Sequence, residues 1–463
     1  MANILFLFGA LLFVRAEGSP GDTIRQIDEL ISTLHAQGDF NGSILVAINE
    51  KPIYSKGFGM ANFKAGEKFT PATASCIASL TKQFTAMGIM MLAEQKKLAY
   101  DDPVTKYLRN LPACYQMVSL RHLLNHTSGV FDYDQLGSGS PDKLIFKKNS
   151  LRFQPGEKYE YSNSNYVLLS LIIETLSGIS FADFLQRNFF TPLEMTRTFA
   201  YAHSNQKVPG VARGYNQFGK DDDYNSPATF GDGGIYSSAE DLLKWHQALR
   251  TEKLVKQSTL DMAFTAGKVR SGSSTYGFGW NVSEDAHGRF AWHTGNTSGF
   301  RAYMQHRLDE RIDIIILTNT GHSRRVEIAR AINNILHGEP FTNLKKSAAK
   351  KMYTIIQHKG IDEALLFYDS IHQRQADGDY DFSETEFNLL GYELLNSERK
   401  IDEAIAIFKA NTQLYPTSSN TFDSLGEAYL KKGDKDSARN SYLRALELDP
   451  TNLNAARVLE KLR

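Results

Sequence analysis

Only two cysteines, Cys76 and Cys114, occur in 463 residues. Two thiols cannot build a multi-bridge disulfide framework, and there is no Cys-x-x-Cys pair to serve a metal or redox role. One bridge between them is open in an oxidising compartment; two buried free thiols are the simpler reading. His-Glu-x-x-His is also absent, so neither a structural zinc nor a zincin-type site has a motif to build on, and no metal or cofactor is expected. Net charge is missing too: Lys plus Arg and Asp plus Glu both number 52. A chain without a global field has nothing to steer a polyanion, so nucleic acid is excluded as the expected partner. Long apolar runs are scarce. The one at 4–14 has eleven residues, far short of the roughly 20 that span a bilayer as a helix, and no later segment does better, so no integral membrane segment is expected.

The run at 4–14 fits the core of a secretory leader. Val14 and Ala16 are the small residues ahead of a cut after Ala16, which sets 1–16 apart as a signal peptide and directs the chain to the periplasm or the medium. No Lys or Arg precedes the run, and a buried first strand or helix is the alternative. The length exceeds one ordinary domain, and 42% hydrophobic residues supply a large core.

Residues 23–37 read as an amphipathic helix. Apolar runs at 42–48 and 52–61 flank Asn49-Glu50-Lys51, a hairpin signal. Near the far end, 289–294, 299–306 and 312–318 are strand-like, and 325–336 reads as a helix. The stretch from about 76 to 250 is helix-rich. Strands at both ends with helices between predict an α/β (α+β) fold: one antiparallel sheet closed by its terminal segments, flanked by helices, beside a helical lobe. Composition shifts near His337-Gly338-Glu339-Pro340, before a basic patch at Lys345, Lys346, Lys350 and Lys351, which gives domains at 17–340 and 341–463. In the second, Phe422, Leu425, Gly426, Tyr429, Ala438, Tyr442, Ala445 and Pro450 keep the spacing of the 34-residue tetratricopeptide pattern. Phe387, Leu390, Gly391, Leu394, Ala404, Phe408 and Pro416 repeat it with one extra residue in the turn, and a degenerate copy centres on Ala364 and Tyr368. Small residues at Gly426 and Ala438 let paired helices approach while aromatics fill the gap. An unrelated helical hairpin is the bland alternative.

Ser79-Leu80-Thr81-Lys82 puts a hydroxyl and an amine one helical turn apart. The spacing alone means little, because it recurs at Ser140/Lys143, Ser204/Lys207, Ser347/Lys350 and Ser397/Lys400. Among them, only Ser79 opens an apolar helix, with Leu80, Phe84, Met87 and Met91 on a buried stripe. Free N–H groups at a helix start favour developing negative charge, and a desolvated lysine gives up its proton readily. Tyr161-Ser162-Asn163 follows Pro155-Gly156-Glu157 on a predicted loop. There a phenol can shuttle a proton and an amide can hold substrate; taken alone, a surface-loop tyrosine is the commoner case. His293-Thr294-Gly295 ends a predicted strand, where glycine lets a substrate backbone lie close. The N–H groups of Asn296 and Ser79 are candidate oxyanion donors. A lone strand histidine is more often structural.

Together, in this order, the three motifs resemble the penicillin-recognising serine hydrolases: class C β-lactamases, D-alanyl-D-alanine carboxypeptidases and related esterases. Leu123-Leu124-Asn125-His126-Thr127-Ser128-Gly129, Pro155-Gly156, Gly233-Gly234-Ile235-Tyr236-Ser237-Ser238, Tyr276-Gly277-Phe278-Gly279-Trp280 and Leu317-Thr318-Asn319 are similar to recurrent segments of that family, over roughly 25–337. The resemblance implies a serine β-lactamase-like fold with Ser79 as nucleophile and Lys82 and Tyr161 handling protons, the acylation base being either of the two. It also implies a catalytic role for His293 and substrate contacts by Asn163, Thr294, Gly295 and Asn296. His293 stands where the family's β-lactamases usually carry Lys. The resemblance therefore implies hydrolysis of an ester or a D-amino-acid peptide more firmly than of a β-lactam. The other readings are a true class C-type β-lactamase, and a non-catalytic ligand sensor with the repeats as its output surface. A small-molecule or peptide substrate is expected, with a protein partner for the helical repeats.

Overall fold

The computed structural model describes residues 20–200, 210–223, 230–265, 267, 269–271, 274–321, 323–373 and 378–462. The leader expected at 1–16 lies outside them. The chain divides into two compact units between Thr342 and Asn343.

The first unit is built on a sheet whose strands come from the early and late parts of that unit. Helix α1 (Pro20–Ala36) leads into β1 (Gly42–Ile48) and β2 (Lys51–Phe58); β3 (Arg270–Ser271), β4 (Ser274–Tyr276), β5 (Asn281–Asp285), β6 (Gly288–Thr297), β7 (Phe300–Arg307) and β8 (Ile312–Thr318) follow much later. The order is β2-β1-β8-β7-β6-β5-β4-β3, so the first strand closes onto the last through an antiparallel ladder from Gly42↔Thr318 to Ile48↔Ile312. The β1–β2 hairpin is tight: Ile48 pairs with Lys51, and Asn49 and Glu50 take φ of 50° and 68°, the left-handed pair that matches strand twist. The apolar run expected at 52–61 breaks at Gly59, whose φ is 72°. A Cβ there would lie 1.9 Å from Asn41 Oδ1, so the chain kinks into a separate short strand, Met60–Asn62.

Both faces of this sheet are covered. Helices α2 (Thr81–Glu94), α3 (Asn163–Ser177) and α4 (Ala239–Ala248) belong to the lobe on one side, sharing a core with Leu45, Ala47, Ala302, Met304, Ile315 and Leu317. On the other, α1 and α5 (Arg325–Leu336) pack together and against strands. Ile312–Thr318 is consequently buried at every position, the continuous apolar run of a strand sandwiched between layers. Helix α2 is apolar nearly all round and sits in the middle of the lobe; its Phe84 stacks on Trp245 at 4.1 Å. The two cysteines are free, Cys76 buried and Cys114 only partly so.

The second unit is a run of helices: α6 (Ala348–Lys359), α7 (Ile361–His372), α8 (Glu384–Tyr392), α9 (Ile401–Leu414), α10 (Ser419–Lys432), α11 (Lys435–Leu448) and α12 (Leu453–Lys461). Neighbouring helices pack as antiparallel hairpins. A Cβ on Gly391 would lie 2.4 Å from the Phe408 ring, and one on Gly426 3.0 Å from Tyr442; these are the small-against-aromatic pairs the repeat spacing predicts. The degenerate copy around Ala364 and Tyr368 is also a helical hairpin, α6–α7, with both residues buried. Among the described residues, no single helix is long and apolar enough to cross a membrane.

Candidate active site

Ser79 occupies a single helical turn, Ala78–Leu80, that runs into α2. Ala78 before it holds φ of 48°, a left-handed backbone that costs an alanine about 1 kcal/mol. That bend presents the Ser79 hydroxyl to a cleft while Leu80 and Phe84 stay in the core. One turn on, Lys82 is fully buried, and its ammonium uses all three donors: to Ser79 Oγ at 3.0 Å, Asn163 Oδ1 at 2.9 Å and the Asp232 carbonyl at 2.8 Å. Burial pulls the amine down to about 8, against the opposing pull of the Asp232, Asp132 and Asp134 carboxylates. Desolvation wins because three nearby negative charges do not replace the lost hydration shell.

The Tyr161 hydroxyl lies within hydrogen-bonding reach of the Ser79 hydroxyl, and burial holds the phenol well above its ordinary range. Its ring sits 4.9 Å from Lys82 Nζ. The loop expected for 161–163 ends earlier than the sequence suggests: Asn163 is the first residue of α3, and Ser162 caps it with extended backbone. Helix geometry therefore fixes Asn163. Its N–H donates to Asp132 Oδ2 at 2.9 Å, its side chain also reaches Asp134, and its Oδ1 faces the lysine.

Strand β6 forms the opposite wall. Strand β5 stops pairing with it at Asn281↔Trp292, while β7 continues along its other edge to Thr297↔Phe300. The edge from His293 to Asn296 is thus bordered by the Ser79 turn. A Cβ on Gly295 would lie 2.2 Å from the Ile77 carbonyl, so only glycine lets the strand approach this closely. Thr294 is half-buried and Asn296 exposed, its Oδ1 accepting from Arg325 at 2.5 Å.

His293 stands behind these groups. Its Nδ1 lies 2.7 Å from the Thr294 carbonyl, which can only accept, so Nδ1 carries the hydrogen. Burial and the Lys82 charge lower the imidazole to about 3, leaving Nε2 bare to accept from the Tyr276 hydroxyl at 2.8 Å. The ring centre is 6.3 Å from that of Tyr161. The structure therefore brings Ser79, Lys82, Tyr161 and Asn163 into one network. It holds His293 as a neutral group with both nitrogens engaged elsewhere.

Several contributors escape sequence reading. Asp232, buried, accepts from Tyr133 at 2.9 Å and supplies the carbonyl that holds Lys82; only its place before Gly233-Gly234 hinted at it. His126 lies inside a quoted segment, and its ring packs 4.3 Å from Tyr161 and 4.6 Å from Tyr276. Asn319 Nδ2 donates to the carbonyls of Met60, Ala61 and Arg213 at 2.9–3.1 Å, a brace rather than a site.

The network offers a nucleophile, a base poised near neutrality and a phenol that keeps its proton. Comparison with known proteins bears on the family and the fold. The family model described as Beta-lactamase matches residues 27–338, and a tetratricopeptide-repeat model matches 420–452. The chain is 32% identical to penicillin-binding protein 4* of Bacillus subtilis over 74% of its own length and 81% of that protein's. It is 31% identical to the putative penicillin-binding protein PbpX of the same organism, over 69% and 81%. Among solved structures, an octameric penicillin-binding protein homologue from Pyrococcus abyssi superposes with a TM-score of 0.60 at 27% identity, covering 72% of this chain and 81% of that one. A class C beta-lactamase gives 0.62 at 23%, covering 70% and 99%, which is a likeness of fold.

Proposed function

Because the chain belongs to the beta-lactamase family of serine hydrolases, we propose that it hydrolyses an ester or a D-amino-acid peptide through an acyl-enzyme on Ser79. The observation that carries this reading is the buried Lys82 amine, 3.0 Å from the Ser79 hydroxyl and brought down to about 8. In its neutral form Lys82 takes the Ser79 proton as Oγ attacks the substrate carbonyl. The N–H groups of Ser79 and Asn296 receive the oxyanion. Tyr161, kept as a phenol, passes a proton to the leaving alcohol or amine, regaining one from the Lys82 ammonium. Water then cleaves the acyl-enzyme by the reverse proton path, returning the acid product and free Ser79. Asn163 and the edge at Thr294 and Gly295 hold the acyl group. No metal or cofactor takes part in these steps.

A neutral His293 leaves this wall without the cation expected of a β-lactamase, which favours a peptide or ester substrate. The names of the B. subtilis relatives support β-lactam acylation as a probe of the same serine. Export rests on residues 4–14 alone, and N-terminal sequencing of the mature protein for a start at Glu17 tests it. A protein partner for the repeats rests on the tetratricopeptide match.

Intact-mass measurement after incubation with benzylpenicillin tests the centre. A persistent adduct on the wild type and none on Ser79→Ala is the expected result. Loss of the drug without an adduct marks a β-lactamase instead. Hydrolysis of ester and D-peptide substrates by Ser79→Ala at the wild-type rate overturns the assignment.

A further inference from the structure

We propose that His287, Glu310 and His337 bind one divalent transition-metal ion of the zinc class, at the end of β6 remote from the serine centre. His287 lies in the β5–β6 hairpin, Glu310 in the turn between β7 and β8, and His337 directly follows α5. One ligand atom from each falls within 4.8 Å of the others.

The hydrogen-bond chemistry asks for a cation. His337 Nδ1 lies 2.7 Å from the Asn333 carbonyl, which only accepts, so Nδ1 carries the hydrogen. In a neutral ring the bare Nε2 then points at Glu310 Oε1, 2.7 Å away. Two acceptors at that distance need a positive charge between them. The His287 ring lies against a further carboxylate, its Nε2 2.8 Å from Glu339 Oε1. The two imidazoles stack at 3.7 Å and 13°, which gathers their ring nitrogens on one side of the Glu310 carboxylate. One divalent ion between the three ligand atoms supplies that charge.

The surroundings suit this role. Arg307, whose side chain is 1% exposed, donates to Glu310 Oε2 and leaves Oε1 for the ion; the Asn333 carbonyl orients His337. Such outer partners are the usual support of metal-binding histidines and carboxylates. A cavity of about 450 Å³, whose walls include His287, His337 and Glu339, gives an entry path. Imidazole with carboxylate selects zinc-like ions over magnesium or calcium. Bonds of 2.0–2.1 Å in a tetrahedron set donors about 3.3 Å apart, so the pairs must spread slightly. Side chains exposed by 19% at His287 and 28% at Glu310 have room to do so. No motif spacing announced the site, because its three residues sit in separate connections of the fold. A second cluster, His246–His306–Asp313, does not qualify: Arg250 already forks both Asp313 oxygens at 2.7 and 3.2 Å, and His246 and Asp313 are fully buried.

The test is calorimetric titration of the chelator-stripped full chain with Zn²⁺ and, separately, Mg²⁺ at neutral pH. One Zn²⁺ per chain, no Mg²⁺ uptake, and affinity lower by about 100-fold or more in His287→Gln and His337→Gln are expected. Labelling of Ser79 by a fluorophosphonate at the wild-type rate certifies that each variant is folded. No Zn²⁺ uptake by the wild type, or uptake unchanged in both variants, overturns the proposal. Should the variants fail to label, diethyl pyrocarbonate modification of the wild type decides. Zn²⁺ must protect His287 and His337, and equal modification with and without Zn²⁺ refutes the site.

Discussion

Lysine in water keeps its proton to about pH 10.4, which would make it useless as a base at neutrality. Burial changes that for Lys82, bringing it to about 8. In the proposed mechanism the working form is the neutral amine, so the sign is fixed: kcat/KM rises with pH through about 8 and levels above it, falling about tenfold per unit below. Lys82→Arg keeps the charge but not the titration, since a guanidinium stays protonated. It is expected to cost about 10³-fold or more and to abolish the rise. Tyr161 is held above its usual range and does not ionise in this window. Tyr161→Phe should lower the rate and leave the midpoint of the profile where it was. A midpoint that moves with Tyr161→Phe would give the base role to the tyrosine. With His293 near 3, no midpoint near 6.5 is expected from it.

At the scale of elements, two glycines in the repeats make a paired comparison. Alanine in place of glycine inside a helix gains about 1 kcal/mol from backbone entropy. At Gly391 the added Cβ meets the Phe408 ring at 2.4–2.8 Å, and that ring is fully buried in α9. Overpacking of this kind costs about 1–3 kcal/mol, so Gly391→Ala is expected to destabilise the second unit. At Gly426 the nearest Tyr442 atoms are at 3.0–3.1 Å, and Gly426→Ala should come out near neutral. Urea unfolding followed by circular dichroism separates the two; equal effects would mean that the ring contacts do not set the helix spacing. These pairs were legible beforehand because repeat spacing is local. The β1–β2 hairpin and the three late strands were legible for the same reason: alternation and turn residues act over a few positions. What escaped is long-range. The Asp232 carbonyl meets Lys82, and the Tyr276 hydroxyl meets His293, only once the sheet and lobe are assembled. Order of motifs singled out Ser79, Lys82, Tyr161 and Asn163, which the structure brings together; it could not say that His293 would be buried, neutral and already bonded.

For the whole molecule the question is whether the two units answer to each other. Each has a core of its own: the large cluster around α2 and α3 lies within the first unit, and the cluster of Ala438, Tyr442, Ala445 and Ala455 within the second. Calorimetry of the full chain should therefore resolve two transitions. Gly295→Ala forces a Cβ to within 2.2 Å of the Ile77 carbonyl, a backbone atom that cannot rotate away. It is expected to lower one transition and to cut Ser79 acylation. Gly391→Ala is expected to lower the other transition and leave acylation as it was. The two glycines belong to separate units, and effects at sites without shared partners add, so the double variant should show both shifts at their single-variant sizes. A Gly391→Ala that also slowed acylation would show that the repeats support the serine centre, and their helical surface would then belong to the enzyme's own machinery rather than to a partner.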